Sequence, residues 1–114
     1  MLVKNPSTGN IIAENVREAT GFLGRLRGLL FSPPLKEGEA LLIYPCSSVH
    51  TCFMRYPIDV VFLSKDNEIV YLVHEMKPWR FSKVVKNARA VLELPPGTAR
   101  RTSLNTGDVL EFEG

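Results

Sequence analysis

The chain has 114 residues, of which 45% are hydrophobic and 23% are charged, and its formal net charge is +2. This length and composition predict one globular domain over residues 1–114 and exclude a long disordered chain. The apolar runs, such as residues 60–63, are far shorter than the roughly 18 residues of a membrane-spanning helix, so no membrane span is predicted.

The first residues contain no basic segment followed by an apolar stretch and a cleavage site. We therefore expect no secretory signal and a cytoplasmic protein. The two cysteines, Cys46 and Cys52, are too few for a disulfide scaffold and would be reduced in a cytosol.

Two short strands are predicted at the N-terminus, over Leu2–Lys4 and Asn10–Glu14, with turn-forming residues between them. A helix is predicted from about residue 20 to residue 31, because Thr20 can cap its N-terminus and Pro33 stops it. Its apolar side chains share one face at helical spacing and are Phe22, Leu23, Leu26, Leu29 and Leu30. We expect this face to pack on a sheet.

Strand patterns dominate the rest of the chain. The predicted strands are Glu39–Tyr44, Ser48–Met54, Ile58–Leu63, Glu68–His74, Ala88–Leu94 and Val109–Phe112. The third of these is apolar on both faces after Asp59, which predicts a central strand. In the strand that ends at Leu94, Arg89 and Glu93 alternate with apolar residues, which predicts one solvent-exposed face.

Polar clusters at residues 65–67 and 105–108 predict turns, and a short helical turn is predicted between residues 98 and 104. Many short strands separated by turns are typical of sandwiches and barrels. The predicted fold is therefore mainly β, an antiparallel sandwich of short strands with one packed helix.

Four groups of motifs follow one another along this chain. They are Arg27–Leu30 (RGLL), Phe53-Met54 followed by Ile58–Leu63 (IDVVFL), Ala90–Ala99 (AVLELPPGTA) and Gly107–Val109 (GDV). From about residue 15 to the C-terminus, the chain resembles the prokaryotic family of domain of unknown function 192. The resemblance implies a jelly-roll-like β-sandwich with a helix packed on it, and it carries no reaction over to this chain. Relatives often have an aromatic residue in place of Cys52, so it assigns that thiol no family-wide role.

The densest polar chemistry lies in residues 46–55. If this segment is extended, His50, Cys52 and Met54 project to one side. Together they form a soft donor set suited to Cu(I) or zinc, but their spacing matches no standard zinc pattern. Core filling by the two sulfur-containing side chains is the favoured interpretation, so neither a metal nor a cofactor is predicted.

The leading hypothesis is a small binding protein without a reaction of its own. Its pocket would lie between the predicted helix and residues 50–59 and would bind a small ligand, such as an anion, or a protein partner. In this hypothesis His50 and Asp59 would hydrogen-bond the ligand, and arginines would supply positive charge. The candidate site residues are Arg27, His50, Thr51, Met54, Arg55, Asp59 and Trp79.

Asp59 also has a structural interpretation. A carboxylate in an apolar strand is costly to bury unless it is paired, so it would tie the helix to the sheet. Its candidate partners are Arg25, Arg27, Arg55 and His50.

Two other functional classes stay open, so the sequence leaves enzymatic activity undecided. The first is a thiol-dependent enzyme in which Cys46 or Cys52 acts with His50 as its base. The second is a binder of nucleic acid or another polyanion. Residues 77–101 contain seven basic residues and one acidic residue, a net of +6, with Trp79 and Phe81 among them.

Overall fold

The computed structural model describes residues 1–19, 34–52 and 54–114. The predicted helix over residues 20–31, and with it Arg25 and Arg27, lies outside the described residues. The described elements in chain order are β1 (Leu2–Asn5), β2 (Asn10–Ala13), β3 (Asn15–Ala19), β4 (Glu39–Ile43), β5 (Ile58–Leu63), β6 (Ile69–Met76), β7 (Ala90–Leu94), α1 (Thr98–Arg101) and β8 (Glu111–Glu113).

The strands form two sheets, so the predicted mainly β architecture is confirmed. One sheet has three strands in the order β2-β1-β8, and the other has five in the order β3-β4-β7-β5-β6. The pairings are antiparallel except for that of β3 with β4, which is parallel from Asn15 opposite Glu39 to Ala19 opposite Ile43. The sequence patterns do not predict β3, because its residues NVREA lack an alternation of apolar and polar side chains.

The central position predicted for Ile58–Leu63 is confirmed. This strand is β5, it lies between β7 and β6, and all six of its residues are buried. Successive side chains of a strand point to opposite faces of the sheet, so β5 contributes to two separate hydrophobic clusters. On what we call the first face, Val61 and Leu63 pack with Val3 of the three-stranded sheet. On the second face, Ile58, Val60 and Phe62 pack with side chains from outside the sheets.

The strand predicted over Ser48–Met54 is wrong. The described part of that segment forms no regular strand: it makes one bridge, between His50 and Phe81, and the amide of Met54 turns back to donate to the Thr51 carbonyl at 3.1 Å. The alternation of side chains expected from an extended strand therefore does not hold. The backbone of residues 48–51 is hydrogen-bonded to another loop, residues 79–85. The pattern of apolar and polar residues within one segment cannot reveal such a partner.

The solvent exposure predicted for Glu93 is also wrong, because this β7 residue is only 6% exposed. It lies directly opposite Leu41 and Val60, two residues of the second-face cluster. Met54 and Val85 are buried in the same cluster, although both come from segments outside the sheets. These segments cover a face that the alternating pattern of β7 alone predicts to be exposed.

The turns predicted at residues 65–67 and 105–108 are confirmed, as is the helical turn that begins at Thr98. Asn67 takes the left-handed conformation and donates its amide to the Ser64 carbonyl at 3.0 Å. In the second turn, a carboxylate oxygen of Asp108 accepts the Asn105 amide at 2.9 Å, and Gly107 supplies the positive φ. Within the residues described here, no helix is long and apolar enough to cross a membrane.

Candidate functional site

Two loop segments, residues 47–51 and 79–85, run antiparallel and form what we call the ribbon. The backbone hydrogen bonds between them run from the Thr51 amide to the Arg80 carbonyl (2.8 Å), from Ser82 to Val49 (2.9 Å) and from Val85 to Ser47 (2.8 Å). Val85 is buried in the second-face cluster, and Val49 packs against it. One side of the ribbon is therefore part of the core.

Thr51 holds the ribbon together at the end nearest β6. It is fully buried, and its hydroxyl donates to the Lys77 carbonyl at 2.6 Å while accepting the Arg80 amide at 2.9 Å. Its carbonyl accepts the amide of Trp79 at 3.0 Å. One side chain thus satisfies two backbone groups of the opposite loop, which fixes the backbone on both sides of Trp79.

The outer side of the ribbon exposes large apolar side chains. Trp79 is 55% exposed, Phe81 is 76% exposed and Val84 is 75% exposed. Trp79 also has a φ of 62°, an unfavourable conformation for a bulky residue. The ring of Phe81 lies 5.9 Å from that of His50 across the ribbon, centroid to centroid, with the planes tilted by 46°. We refer to these exposed side chains together as the aromatic surface, although Val84 is aliphatic.

Positive charge is concentrated in the segments that carry this surface. Residues 47–55 and 77–86 together contain five Lys or Arg residues and no Asp or Glu, whereas the rest of the chain has nine basic and twelve acidic residues, a net of −3. The five cationic residues are all exposed and are Arg55, Lys77, Arg80, Lys83 and Lys86. The ammonium group of Lys83 lies 4.3 Å from the centre of the Tyr71 ring, which restricts its position.

The soft donor set predicted in this region is not assembled as an extended strand would place it. His50 is exposed, Cys52 is half-buried and Met54 is buried in the second-face cluster. The Cys52 amide, not its thiol, donates to Nδ1 of His50 at 3.3 Å, and the Cys46 thiol donates to the Ser48 carbonyl at 3.0 Å. In the described ranges, no three His, Cys, Asp or Glu residues cluster as a metal site. The thiol enzyme stays a prediction.

Asp59 lies on the first face, opposite Leu94, and so on the other side of the sheet from Met54. It is fully buried, and its two oxygens accept the amides of Glu75 and Ala99, each at 2.8 Å. The second of these bonds satisfies a backbone amide in the first turn of α1. Among the residues that the structure describes, the recorded ion pairs involve Lys4 and Arg101, not Asp59. Its contacts are those of a structural tie made with backbone amides.

The structure therefore brings together part of the predicted site. His50, Thr51 and Trp79 meet in the ribbon, and the exposed Arg55 follows it in the chain. Met54 lies in the core beneath, Asp59 lies on the other face of the sheet, and Arg27 is outside the described residues. The exposed Phe81 and Val84 were not among the predicted site residues, and Phe81 carried a signal in its position between cations.

Glu93 is a second feature that the sequence analysis missed. Burial raises the pKa of its carboxyl from 4.5 to about 7, and its Oε2 has no hydrogen-bond partner within the described chain. The pKa of the nearby Tyr56 hydroxyl is raised by burial and by the charge of Glu93, while Arg17 opposes that rise. The sequence did contain one indication of this buried carboxyl, because Glu93 is the one charged residue in the otherwise apolar strand β7. At neutral pH this carboxyl can hold or release a proton.

Comparisons with known proteins agree with this fold. The profile of the family described as DUF192, Uncharacterized ACR, matches residues 3–112. A UPF0127 protein of Pyrococcus furiosus is 36% identical over an alignment of 113 positions that covers 95% of each chain. A UPF0127 protein of Thermococcus sibiricus is 31% identical over an alignment of 114 positions that covers 96% of this chain and 73% of the relative.

Two solved structures share the fold at low sequence identity. A protein of unknown function from Novosphingobium aromaticivorans has a TM-score of 0.83 and 20% identity, over 97% of this chain and 82% of the other. A putative transcription regulator from Sinorhizobium meliloti has a TM-score of 0.82 and 22% identity, over 96% of this chain and 89% of the other. At these identities the likeness concerns the architecture alone.

Proposed function

The chain belongs to the family of domain of unknown function 192, and we propose that it is a binding protein for single-stranded nucleic acid. The observation that carries this proposal is the outer side of the ribbon, where Trp79 and Phe81 are exposed and where residues 47–55 and 77–86 contain five cationic side chains and no Asp or Glu. Single strands are bound by aromatic rings on which bases stack, together with cations that track the phosphates. The ribbon offers both.

The backbone of the ribbon supports the same proposal. A bulky residue with positive φ costs free energy, and such strain is found mostly where the surrounding structure enforces it for function. Here the buried Thr51 accepts the amide of Trp79 and so holds the indole outward. A tryptophan that only anchored a loop in the core would be buried, whereas this one is more than half exposed.

A protein partner with an acidic surface is the second candidate. The observation that favours it is the exposed side chain of Val84, because an aliphatic group cannot stack on bases but can fill an apolar pocket of a partner. The same cations would then complement the partner's charge.

We place the protein in the cytoplasm as part of this proposal, since single-stranded nucleic acid is met inside the cell. Cys46 and Cys52 are not joined in a disulfide, which is compatible with a reducing compartment.

The test uses Trp79, which is the one tryptophan in the sequence. A twelve-residue oligothymidylate is titrated into the protein in 50 mM salt, with indole fluorescence and the anisotropy of a labelled oligonucleotide as readouts. We expect saturable binding that quenches the fluorescence. Raising the salt to 200 mM should weaken binding by about a hundredfold if all five cations contact phosphates, because each contact contributes about 0.7 to the salt slope.

Variants separate stacking from charge. Phe81→Ala should weaken oligonucleotide binding by about 5- to 150-fold, the range expected for losing one stacked base. Heparin, a polyanion without bases, should bind the variant and the unchanged protein equally. Ile11→Ala, which truncates another exposed apolar side chain, is the matched control and should have no effect.

Two other outcomes would count against single-stranded nucleic acid as the ligand. The absence of oligonucleotide binding in 50 mM salt would contradict the proposal. If a glutamate-rich peptide bound instead, and Val84→Ala weakened that binding, the protein-partner candidate would replace it.

A further inference from the structure

A groove of about 460 Å³ lies at one end of the sandwich, and its lining includes none of Trp79, Phe81 and Val84. It opens where β4 and β5 end and β7 begins. Its apolar floor consists of Leu42, Ala90 and Phe112, which also pack in or against the core between the two sheets. This volume falls within the range of small-molecule sites, about 300–1,000 Å³.

The polar wall of the groove is predominantly positive. Lys65 and Arg89 line it and are exposed, and the ion pairs recorded within the described ranges do not include either residue. Glu18 also lines it, but the hydroxyl of Tyr44 donates a hydrogen bond to its carboxylate. This hydrogen bond is the main reason why the pKa of Tyr44 is raised. The groove is therefore lined by the two positive charges of Lys65 and Arg89 and by one negative charge, that of Glu18, whose carboxylate is hydrogen-bonded to Tyr44.

We propose that this groove binds a small amphipathic anion, an organic carboxylate or sulfonate with an apolar tail. The tail would cover Leu42, Ala90 and Phe112, because removing apolar surface from water supplies affinity. The anionic head would lie between Lys65 and Arg89, where charge-assisted hydrogen bonds orient it. A neutral ligand with the same tail would gain only the first contribution, and a cationic ligand would be repelled.

The test uses the fluorescent probe anilinonaphthalene sulfonate, an aromatic sulfonate, with the folded full-length chain. Decanoate, decanol and decylamine, which share one tail, are then compared as competitors. We expect decanoate to displace the probe at a concentration at least tenfold lower than decanol, and decylamine not to displace it. Equal displacement by decanoate and decanol, or no saturable binding of the probe, would overturn the proposal.

Two kinds of variant locate the site. Ala90→Phe fills the floor of the groove and should lower the affinity for the probe at least tenfold. If circular dichroism shows that this variant does not fold, the double variant Lys65→Gln with Arg89→Gln, which changes two exposed side chains, tests the groove instead. The pair should abolish the preference for decanoate over decanol, whereas Lys36→Gln, an exposed cation elsewhere, should leave it intact.

This inference is independent of the proposed nucleic-acid function. Trp79→Ala should leave probe binding unchanged, because Trp79 does not line the groove. Unchanged affinity in a folded Ala90→Phe variant would show that the probe binds elsewhere and would refute the groove site.

Discussion

The hydroxyl of Thr51 donates a hydrogen bond of 2.6 Å to the carbonyl oxygen of Lys77, 26 residues further along the chain. The same oxygen accepts the Arg80 amide at 2.9 Å, so one side-chain atom of the buried Thr51 joins both ends of the four-residue segment 77–80, which contains Trp79. The aromatic surface of the ribbon depends on this contact, because it lies outside the regular ladders of the sheets.

Thr51→Val removes the hydroxyl and keeps the shape of the side chain. We expect the free energy of unfolding to fall by about 1–3 kcal/mol, since the Lys77 carbonyl and the Arg80 amide lose a hydrogen-bond partner in a part-buried position. Urea unfolding measures this change, and Thr106→Val, at an exposed position, is the matched control. Oligonucleotide binding should weaken as well, because Trp79 is no longer held. An unchanged stability would contradict the role assigned to Thr51.

Asp59→Asn tests the structural tie on the first face. Both oxygens of Asp59 accept backbone amides, and an asparagine can accept only one of them because its nitrogen is a donor. We expect a loss of about 1–3 kcal/mol in the free energy of unfolding. Asp66→Asn, in an exposed turn, should change little. A variant that kept its stability but lost binding of a ligand would instead support the predicted functional role of Asp59.

The stability of the protein should depend on pH through Glu93. Its pKa is about 7 in the folded chain and about 4.5 in the unfolded chain, so the folded state binds the proton more tightly. The resulting stabilisation is fully present below pH 4.5 and is lost as the pH rises through 7. At about 1.36 kcal/mol per pKa unit, the loss is of the order of 3 kcal/mol.

Urea unfolding between pH 5 and pH 8 measures this dependence. Glu93→Gln keeps a neutral side chain of similar shape, so the fall in stability should largely disappear. Glu14→Gln, at an exposed position, should leave the pH profile unchanged. A profile for Glu93→Gln that matched that of the unchanged protein would show that another group is responsible.

The thiols offer a direct test of the remaining enzyme hypothesis. Both cysteines are half-buried, and the Cys46 thiol donates to the Ser48 carbonyl, a contact that favours the protonated form. We expect iodoacetamide to modify them at pH 6–7 more slowly than it modifies glutathione. Cys46→Ser and Cys52→Ser assign the rates to individual residues. A rate well above that of glutathione would indicate an activated thiolate and would favour the enzyme.

Much of the fold was predictable because its signals are local. The two strands nearest the N-terminus, the turns around Asn67 and Gly107, and the central position of β5 each depend on a pattern within about ten residues. The apolar run of β5 is one example, since only a strand covered on both faces can be apolar throughout. β3 had no such signal, and its hydrogen bonds come from a parallel neighbour 24 residues away.

The site was predictable only in part, for the same physical reason. The sequence alone identified His50, Arg55, Trp79 and the cations of residues 77–86 as side chains that could bind a ligand. Tertiary structure alone decided that Asp59 and Met54 face opposite sides of the sheet, and that the loops bury Glu93. Burial depends on what covers a face, and the segments that cover this one are distant in sequence. Local periodicity records which side a residue points to, and only the folded chain determines whether that side meets water.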